Sequence, residues 1–149
     1  MTVHAHPDDE TIGTGGVMAK GVADGHRVVL VTCTRGELGE IVDSGLNTPE
    51  NHRRLGGIRA GELEAAMSAL GVTEWENLGY RDSGMMGEPG NHDPPSIWQA
   101  DRDEAIGRLA WMVRRYRPAV NTGYNSLGRH ATPEPRAATR IAAAAPPRG

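Results

Sequence analysis

Short apolar runs separated by polar segments predict four β-strands. Residues 27–33, with the sequence RVVLVTC, form a compact Val-rich run that is typical of a strand covered on both faces. Residues 3–5 are extended in character but few for a strand. Further short strands are expected within 73–80 and at 119–122, the latter directly after Pro118 stops the preceding helix.

Three segments have apolar residues at the spacing of an amphipathic helix. They are residues 14–23, 59–70 and 101–116. Gly25 follows the first and Gly71 the second, and glycine is the residue that most often ends a helix. The pattern therefore predicts three helices, each placed between two of the predicted strands.

The order of these elements predicts an α/β fold with a mostly parallel sheet. Strands alternate with helices, which is typical of parallel crossover connections. The segments 34–57 and 81–97 are rich in Gly and polar residues, lack a clear period and are expected to be long loops. In open sheets of this kind, ligands bind beyond the carboxyl ends of the strands.

Composition excludes several classes of protein. The 149 residues suffice for one domain, and Leu, Ile and Val total only 25, which predicts a thin core. No run is long and apolar enough to cross a bilayer, so no membrane partner is expected. The single Cys excludes a disulfide framework and indicates a reducing compartment, which we take to be the cytoplasm. The net charge of −3, with no basic cluster, argues against a nucleic-acid partner.

The segment 4–10, HAHPDDE, carries the most chemistry. His6 and Asp9 offer an imidazole nitrogen and a carboxylate, a pair suited to zinc or another divalent metal. Asp8 lies between them and is placed to accept a proton from a metal-activated water, because the metal lowers the pKa of that water to about 7. The alternative is a helix N-terminus carrying acidic residues because the helix dipole favours them. The position of this segment directly after a short apolar strand favours the metal site over that alternative.

Five stretches of the chain carry a resemblance to a known family, in family order over about the first 125 residues. They are VHAHPDDE (3–10), VVLVTCTRGELGEI (28–41), IRAGELEAAMSALGV (58–72), LGYRDSGM (78–85) and RRYRPAV (114–120). Together they resemble the PIG-L/LmbE-like family of zinc-dependent N-deacetylases. Within that family the chain is most similar to the mycothiol-pathway branches, the N-acetylglucosaminyl-inositol deacetylases and the mycothiol S-conjugate amidases.

The resemblance implies a fold, a reaction and a set of site residues. The implied fold is a Rossmann-like three-layer sandwich, and the implied cofactor is Zn²⁺ or another divalent metal. His6 and Asp9 would be metal ligands and Asp8 the general base. Three residues would contact the hydroxyls of an amino-sugar, inositol or mycothiol-conjugate substrate: Glu40, Arg59 and Asp82.

The resemblance breaks near the end of the chain. The family completes its metal site with an HPxH motif, but the aligned residues 132–135 read Thr-Pro-Glu-Pro, and His130 is out of register. We therefore expect a deacetylase domain over 1–128, truncated at its C-terminus, and a divergent tail over 129–149. A shift of reading frame near 127–131 would account for the tail, because the codons for 131–136 read one nucleotide later permit x-His-Pro-(Asn/Ser)-His.

Two functions remain open on the sequence. One is a zinc hydrolase that removes an acetyl group from an N-acetylglucosamine-type substrate or cleaves a mycothiol-type amide. The other is an inactive remnant or sugar-binding domain, because catalytic zinc ordinarily has three protein ligands and only two are predicted here. The sequence does not separate the deacetylase branch from the amidase branch, nor does it predict an oligomeric state.

Overall fold

Strands and helices alternate along the chain, which confirms the α/β fold class. The computed structural model describes residues 1–124. Its elements, in chain order, are β1 (Thr2–His4), α1 (Asp9–Ala23), β2 (Val29–Thr32), α2 (Pro49–Leu70), β3 (Glu74–Asn77), a short 3₁₀-helix (Pro89–His92) and α3 (Arg102–Tyr116).

The three strands form one parallel sheet in the order β1-β2-β3. Val3 lies opposite Val31, and Val31 lies opposite Glu76. Thr122 makes a parallel bridge to Thr2, and its carbonyl accepts a hydrogen bond of 2.9 Å from the backbone N–H of Val3. The chain thus runs outward from β1 to β3 and then returns to the other edge of β1. This reversal is a topological switch point, where open α/β sheets bind their ligands.

Helices cover both faces of the sheet and make three layers. Because successive side chains of a strand point to opposite faces, Leu30 and Val31 belong to different clusters. Leu30 packs with Met18 of α1 and with Leu63 and Met67 of α2. Val31 belongs to the second cluster, which lies against α3 and also contains Val3, Cys33, Leu78, Ala105, Leu109 and Val113. None of the helices within residues 1–124 has the length and apolar character that a membrane crossing requires.

Two helices begin earlier than the apolar pattern predicts. Helix α1 begins at Asp9 rather than at residue 14, because its first turn buries the polar Asp9 and Glu10 instead of apolar side chains. Helix α2 begins at Pro49 rather than at residue 59, because a cap and not an apolar stripe starts it. The Thr48 side chain accepts a hydrogen bond of 3.2 Å from the Asn51 backbone N–H.

Candidate active site

Polar side chains converge at the carboxyl edge of the sheet beside β1. The turn between β1 and α1 supplies His6, Asp8 and Asp9, and the segment after β3 supplies Asp82. Arg59 reaches the same place from α2, and Tyr124 from the segment after Thr122. The structure therefore brings together five of the six site residues predicted from the sequence, at the switch point of the sheet.

His6 and Asp9 form the centre of this cluster. The Nδ1 atom of His6 lies 3.4 Å from Oδ2 of Asp9, and the backbone N–H of His6 donates to the same oxygen at 3.3 Å. The hydroxyl of Tyr124 also donates to Oδ2 of Asp9. Burial raises the pKa of Asp9, but the hydrogen bonds from His6 and Tyr124 outweigh it and hold that pKa below its ordinary value. Asp9 is therefore a carboxylate that stays ionised although it is buried.

Asp82 lies on the other side of the His6 ring. Its Oδ1 atom is 3.6 Å from Nε2 of His6 and accepts a hydrogen bond of 2.9 Å from the backbone N–H of Gly84. Its Oδ2 atom accepts from the backbone N–H of Leu38 at 3.1 Å. Burial raises the pKa of Asp82, but the interactions with His6 and with the two backbone donors lower it by more than burial raises it. The pKa of Asp82 therefore lies well below its usual range. His6 is thus held between two carboxylates.

Asp8 lies at the mouth of the site and is held by Arg59. The Asp8 side chain is 59% exposed, whereas that of Arg59 is 17% exposed, and Nη2 of Arg59 lies 2.6 Å from Oδ2 of Asp8. Arg59 also donates to the carbonyl oxygen of Pro7 and, at 3.3 Å, to that of Gly36. One guanidinium therefore joins the turn after β1 to the loop after β2.

The backbone at Asp8 is strained, and a buried carboxylate supports it. Asp8 has φ 108°, a conformation that residues with a Cβ rarely adopt. Its backbone N–H donates to Oε2 of Glu10 at 2.9 Å, and the Thr11 hydroxyl donates to Oε1 at 2.8 Å. Glu10 is only 1% exposed. The buried Glu10 carboxylate therefore fixes the backbone turn at Asp8.

Glu40 is the predicted site residue that the structure does not join to the cluster. It is exposed, and no hydrogen bond or ion pair connects it to the other site residues within the described part of the chain. Glu37 of the same loop instead accepts a hydrogen bond of 3.1 Å from the backbone N–H of Asp82. Sequence reasoning missed Glu37, Glu10 and Tyr124. The position of Tyr124, just beyond the strand predicted at 119–122, was the available signal.

The separation of His6 and Asp9 is compatible with two donors to one metal ion. Two ligands of a tetrahedral zinc ion, each about 2.1 Å from it, lie roughly 3.4 Å apart. The separation of 3.4 Å between Nδ1 of His6 and Oδ2 of Asp9 matches that value. Among residues 1–124, no group of three His, Cys, Asp or Glu side chains is arranged to hold a metal ion. His130 and residues 132–135, where the third ligand is at issue, lie outside the described residues, as does the predicted boundary after residue 128.

The fold and the site define an α/β domain with a histidine–carboxylate centre at the switch point of a parallel sheet. The family model described as PIG-L, GlcNAc-PI de-N-acetylase, matches residues 1–145. The chain belongs to the PIG-L family, as the resemblance implied.

Relatives in this family carry the name 1D-myo-inositol 2-acetamido-2-deoxy-alpha-D-glucopyranoside deacetylase. The protein of that name from Geodermatophilus obscurus is 49% identical over 148 residues, which cover 95% of this chain and 50% of the relative. The one from Streptomyces avermitilis is 48% identical over 148 residues, with coverage of 95% and 50%. The chain thus spans about half the length of the curated relatives it matches.

Solved structures share the fold. The N,N'-diacetylchitobiose deacetylase from Pyrococcus horikoshii has a TM-score of 0.73 and 26% identity, covering 95% of this chain and 46% of that one. GalB, the 4-carboxy-2-hydroxymuconate hydratase from Pseudomonas putida, has a TM-score of 0.72 and 25% identity, with coverage of 97% and 53%. A deacetylase and a hydratase therefore share this architecture, so the reaction has to be argued from the site.

Proposed function

We propose that this chain carries part of the active centre of a metal-dependent N-deacetylase that acts on an N-acetylglucosaminyl-inositol substrate. The observation that carries the proposal is the 3.4 Å separation of Nδ1 of His6 and Oδ2 of Asp9, with Asp8 at the mouth of the same turn. The names of the relatives from Geodermatophilus obscurus and Streptomyces avermitilis supply the substrate class. The low Cys content supports a cytoplasmic location, which stays a prediction from the sequence.

His6 and Asp9 are the residues that would hold the metal, for which zinc fits the mixed nitrogen and oxygen donors. When bound, zinc would supply Lewis acidity and lower the pKa of a water molecule to about 7. Asp82 would hold the His6 ring in place, because its carboxylate lies 3.6 Å from Nε2 of His6. Carboxylates in this position ordinarily orient a histidine ligand and raise its basicity.

Asp8 is the proposed general base. Arg59 holds its Oδ2 atom at 2.6 Å, which leaves the other carboxylate oxygen to accept a proton from the attacking water. The same oxygen would return that proton to the nitrogen of the leaving amine, so that acetate and a free amino sugar are formed. The bond to Glu10 fixes the backbone from which this carboxylate extends, and Arg59 holds the carboxylate itself.

Arg59 and Glu40 are the proposed contacts to the substrate hydroxyls, whereas Asp82, which the resemblance also places there, is buried and has both carboxylate oxygens engaged by His6, Gly84 and Leu38. The guanidinium of Arg59 has five N–H donors, and three of them bond to Asp8, Pro7 and Gly36. Two donors therefore remain for a sugar or inositol hydroxyl. Glu40 is exposed in the loop after β2 and would reach the substrate from the solvent side.

Acetate release tests the proposal. The chain, supplied with one equivalent of zinc, is incubated with N-acetylglucosaminyl-inositol, and free acetate and primary amine are measured. We expect equal amounts of both products, and a loss of about 100-fold or more in rate for Asp8→Asn. Asp24→Asn, at an exposed position after α1, serves as the matched control and should keep the rate. Equal rates for the two variants would contradict the role of Asp8, and no acetate from the unaltered chain would contradict the proposed activity.

A further inference from the structure

A cleft opens beside the loop after β2 and is lined by residues of that loop, of α2 and of the segment after β3. It has a volume of about 650 Å³ and lies between the N-terminal half of α2 and the segment after β3. Small-molecule sites commonly have volumes of about 300–1,000 Å³. The charged and polar part of its lining includes Arg35, Glu37, His52, Arg53, Asn77 and Arg81.

The lining of this cleft is positively charged although the chain carries a net charge of −3. It has three arginines and one carboxylate, and that carboxylate, Glu37, accepts a hydrogen bond from the backbone N–H of Asp82. Arg81 pairs with Asp93 at 3.0 Å. Arg35 and Arg53 have no ion pair or hydrogen bond within residues 1–124. Two guanidinium groups that lack a partner in a concave site attract an anion.

A glycine on α2 lets the loop after β2 pack closely against the helix at this cleft. A Cβ at Gly56 would lie 2.7 Å from Cγ of Glu37 and 3.4 Å from Cβ of Arg35, so the loop packs directly on the helix backbone there. Arg53 lies three residues before Gly56, on the same face of α2. Arg35 of the loop and Arg53 of the helix thus line the cleft on either side of this close contact.

We propose that this cleft binds a phosphorylated small molecule through Arg35, Arg53 and Arg81. A phosphomonoester carries about two negative charges and three terminal oxygens, and guanidinium groups bind such oxygens through paired N–H donors. His52 also lines the cleft, where its Nε2 atom is hydrogen-bonded to Oδ1 of Asn47 at 2.8 Å. The inference does not depend on the proposed deacetylase function, because none of these residues belongs to the His6–Asp9 centre.

Calorimetric titration of the full chain at low ionic strength tests the proposal. The probes are inorganic phosphate, glucose 6-phosphate and uncharged glucose. We expect saturable binding of one equivalent of the two phosphates and none of glucose. Arg35→Ala and Arg53→Ala should each weaken phosphate binding by about tenfold or more, since each removes a charge-assisted hydrogen-bond donor.

Arg54→Ala is the matched control. Arg54 is adjacent to Arg53 on the same helix, but it does not line the cleft and lies 3.7 Å from Glu50. Its removal lowers the net charge by the same amount and should leave phosphate binding within about twofold of the unaltered chain. Arg35, Arg53 and Arg54 are exposed, so folding is preserved and is checked by circular dichroism. Equal weakening by Arg53→Ala and Arg54→Ala, binding of glucose, or the lack of saturable phosphate binding would overturn the proposal. Acetate release is not measured in this test. A failure of the phosphate-binding proposal is therefore distinguishable from a failure of the deacetylase proposal.

Discussion

Replacement of Gly36 by Ala is expected to disrupt the contact that holds Asp8. Gly36 has φ +67°, and a Cβ there would lie 2.2 Å from Nη1 and 2.7 Å from Cζ of Arg59. The guanidinium would have to leave the place from which it bonds to Pro7, Asp8 and Gly36. The substitution therefore combines a backbone cost at residue 36 with the loss of the hydrogen bonds of Arg59.

The magnitude follows from these two contributions. A left-handed conformation costs a residue with a Cβ about 1–2 kcal/mol. Loss of a hydrogen bond that involves a charged group costs about 1.5–3 kcal/mol, and we count one such bond because Asp8 is exposed and solvent screens its ion pair. Gly36→Ala should thus lower the free energy of unfolding by about 2.5–5 kcal/mol.

Urea denaturation measures this free energy, and Gly25→Ala separates the two contributions. Gly25 also has a positive φ, +79°, but nothing lies within 4 Å of the place its Cβ would occupy. Gly25→Ala should therefore cost only the backbone part, about 1–2 kcal/mol. Both variants should shift the midpoint of unfolding without a change in its slope.

A double substitution tests the cause directly. In a chain that already carries Arg59→Ala, Gly36→Ala should cost no more than Gly25→Ala, because the guanidinium that it displaces is gone. If Gly36→Ala and Gly25→Ala destabilise the unaltered chain equally, Arg59 is not packed on Gly36 as described.

Three further predictions concern the site, the core and the pH dependence of stability. Asp82→Asn should weaken zinc binding by about 10–100-fold, measured by chelator competition, because the amide supports the His6 ring less well. Leu109→Ala, at a side chain with 0% exposure, should cost about 2–5 kcal/mol in urea denaturation. Burial and the hydrogen bond to Glu104 raise the pKa of Tyr80 to about 12. The phenolate absorbance of Tyr80 should therefore appear about two pH units above that of a free tyrosine, and it should move to lower pH in Glu104→Gln. Because the neutral phenol is favoured in the folded state, this stability is full below about pH 10 and is lost as the pH rises to about 12.

The fold was predictable because its apolar signals are local. The Val-rich run at 27–33 contains β2, and the spacing of Leu63 and Met67 identified the buried face of α2. The starts of α1 and α2 were not predictable from that spacing, since their first turns are polar. The start of α2 is indicated instead by Thr48 at the N-cap, followed by Pro49 in the first turn, and this signal is independent of the apolar spacing.

Spacing along the chain predicted the candidate site only where its residues are close in sequence, and Arg59 and Asp82 were predicted through the family resemblance instead. His6 and Asp9 are three residues apart, so their approach follows from one turn. The hydrogen bond from Tyr124 to Asp9 joins residues 115 apart and depends on the return of the chain to the free edge of β1. The burial of Glu10 likewise depends on packing, which no short motif encodes.

The affinity of the chain for zinc tests most directly whether His6 and Asp9 form a metal centre. The dissociation constant is measured by competition with a calibrated chelator for the unaltered chain and for His6→Ala, with His26→Ala as a control at an exposed histidine after α1. We predict that His6→Ala weakens zinc binding by at least about 100-fold and that His26→Ala leaves it unchanged. Loss of a residue that only supports a metal ligand costs about 10–100-fold, and loss of the ligand itself should cost at least as much. Equal zinc affinities for the unaltered chain and His6→Ala would contradict the account.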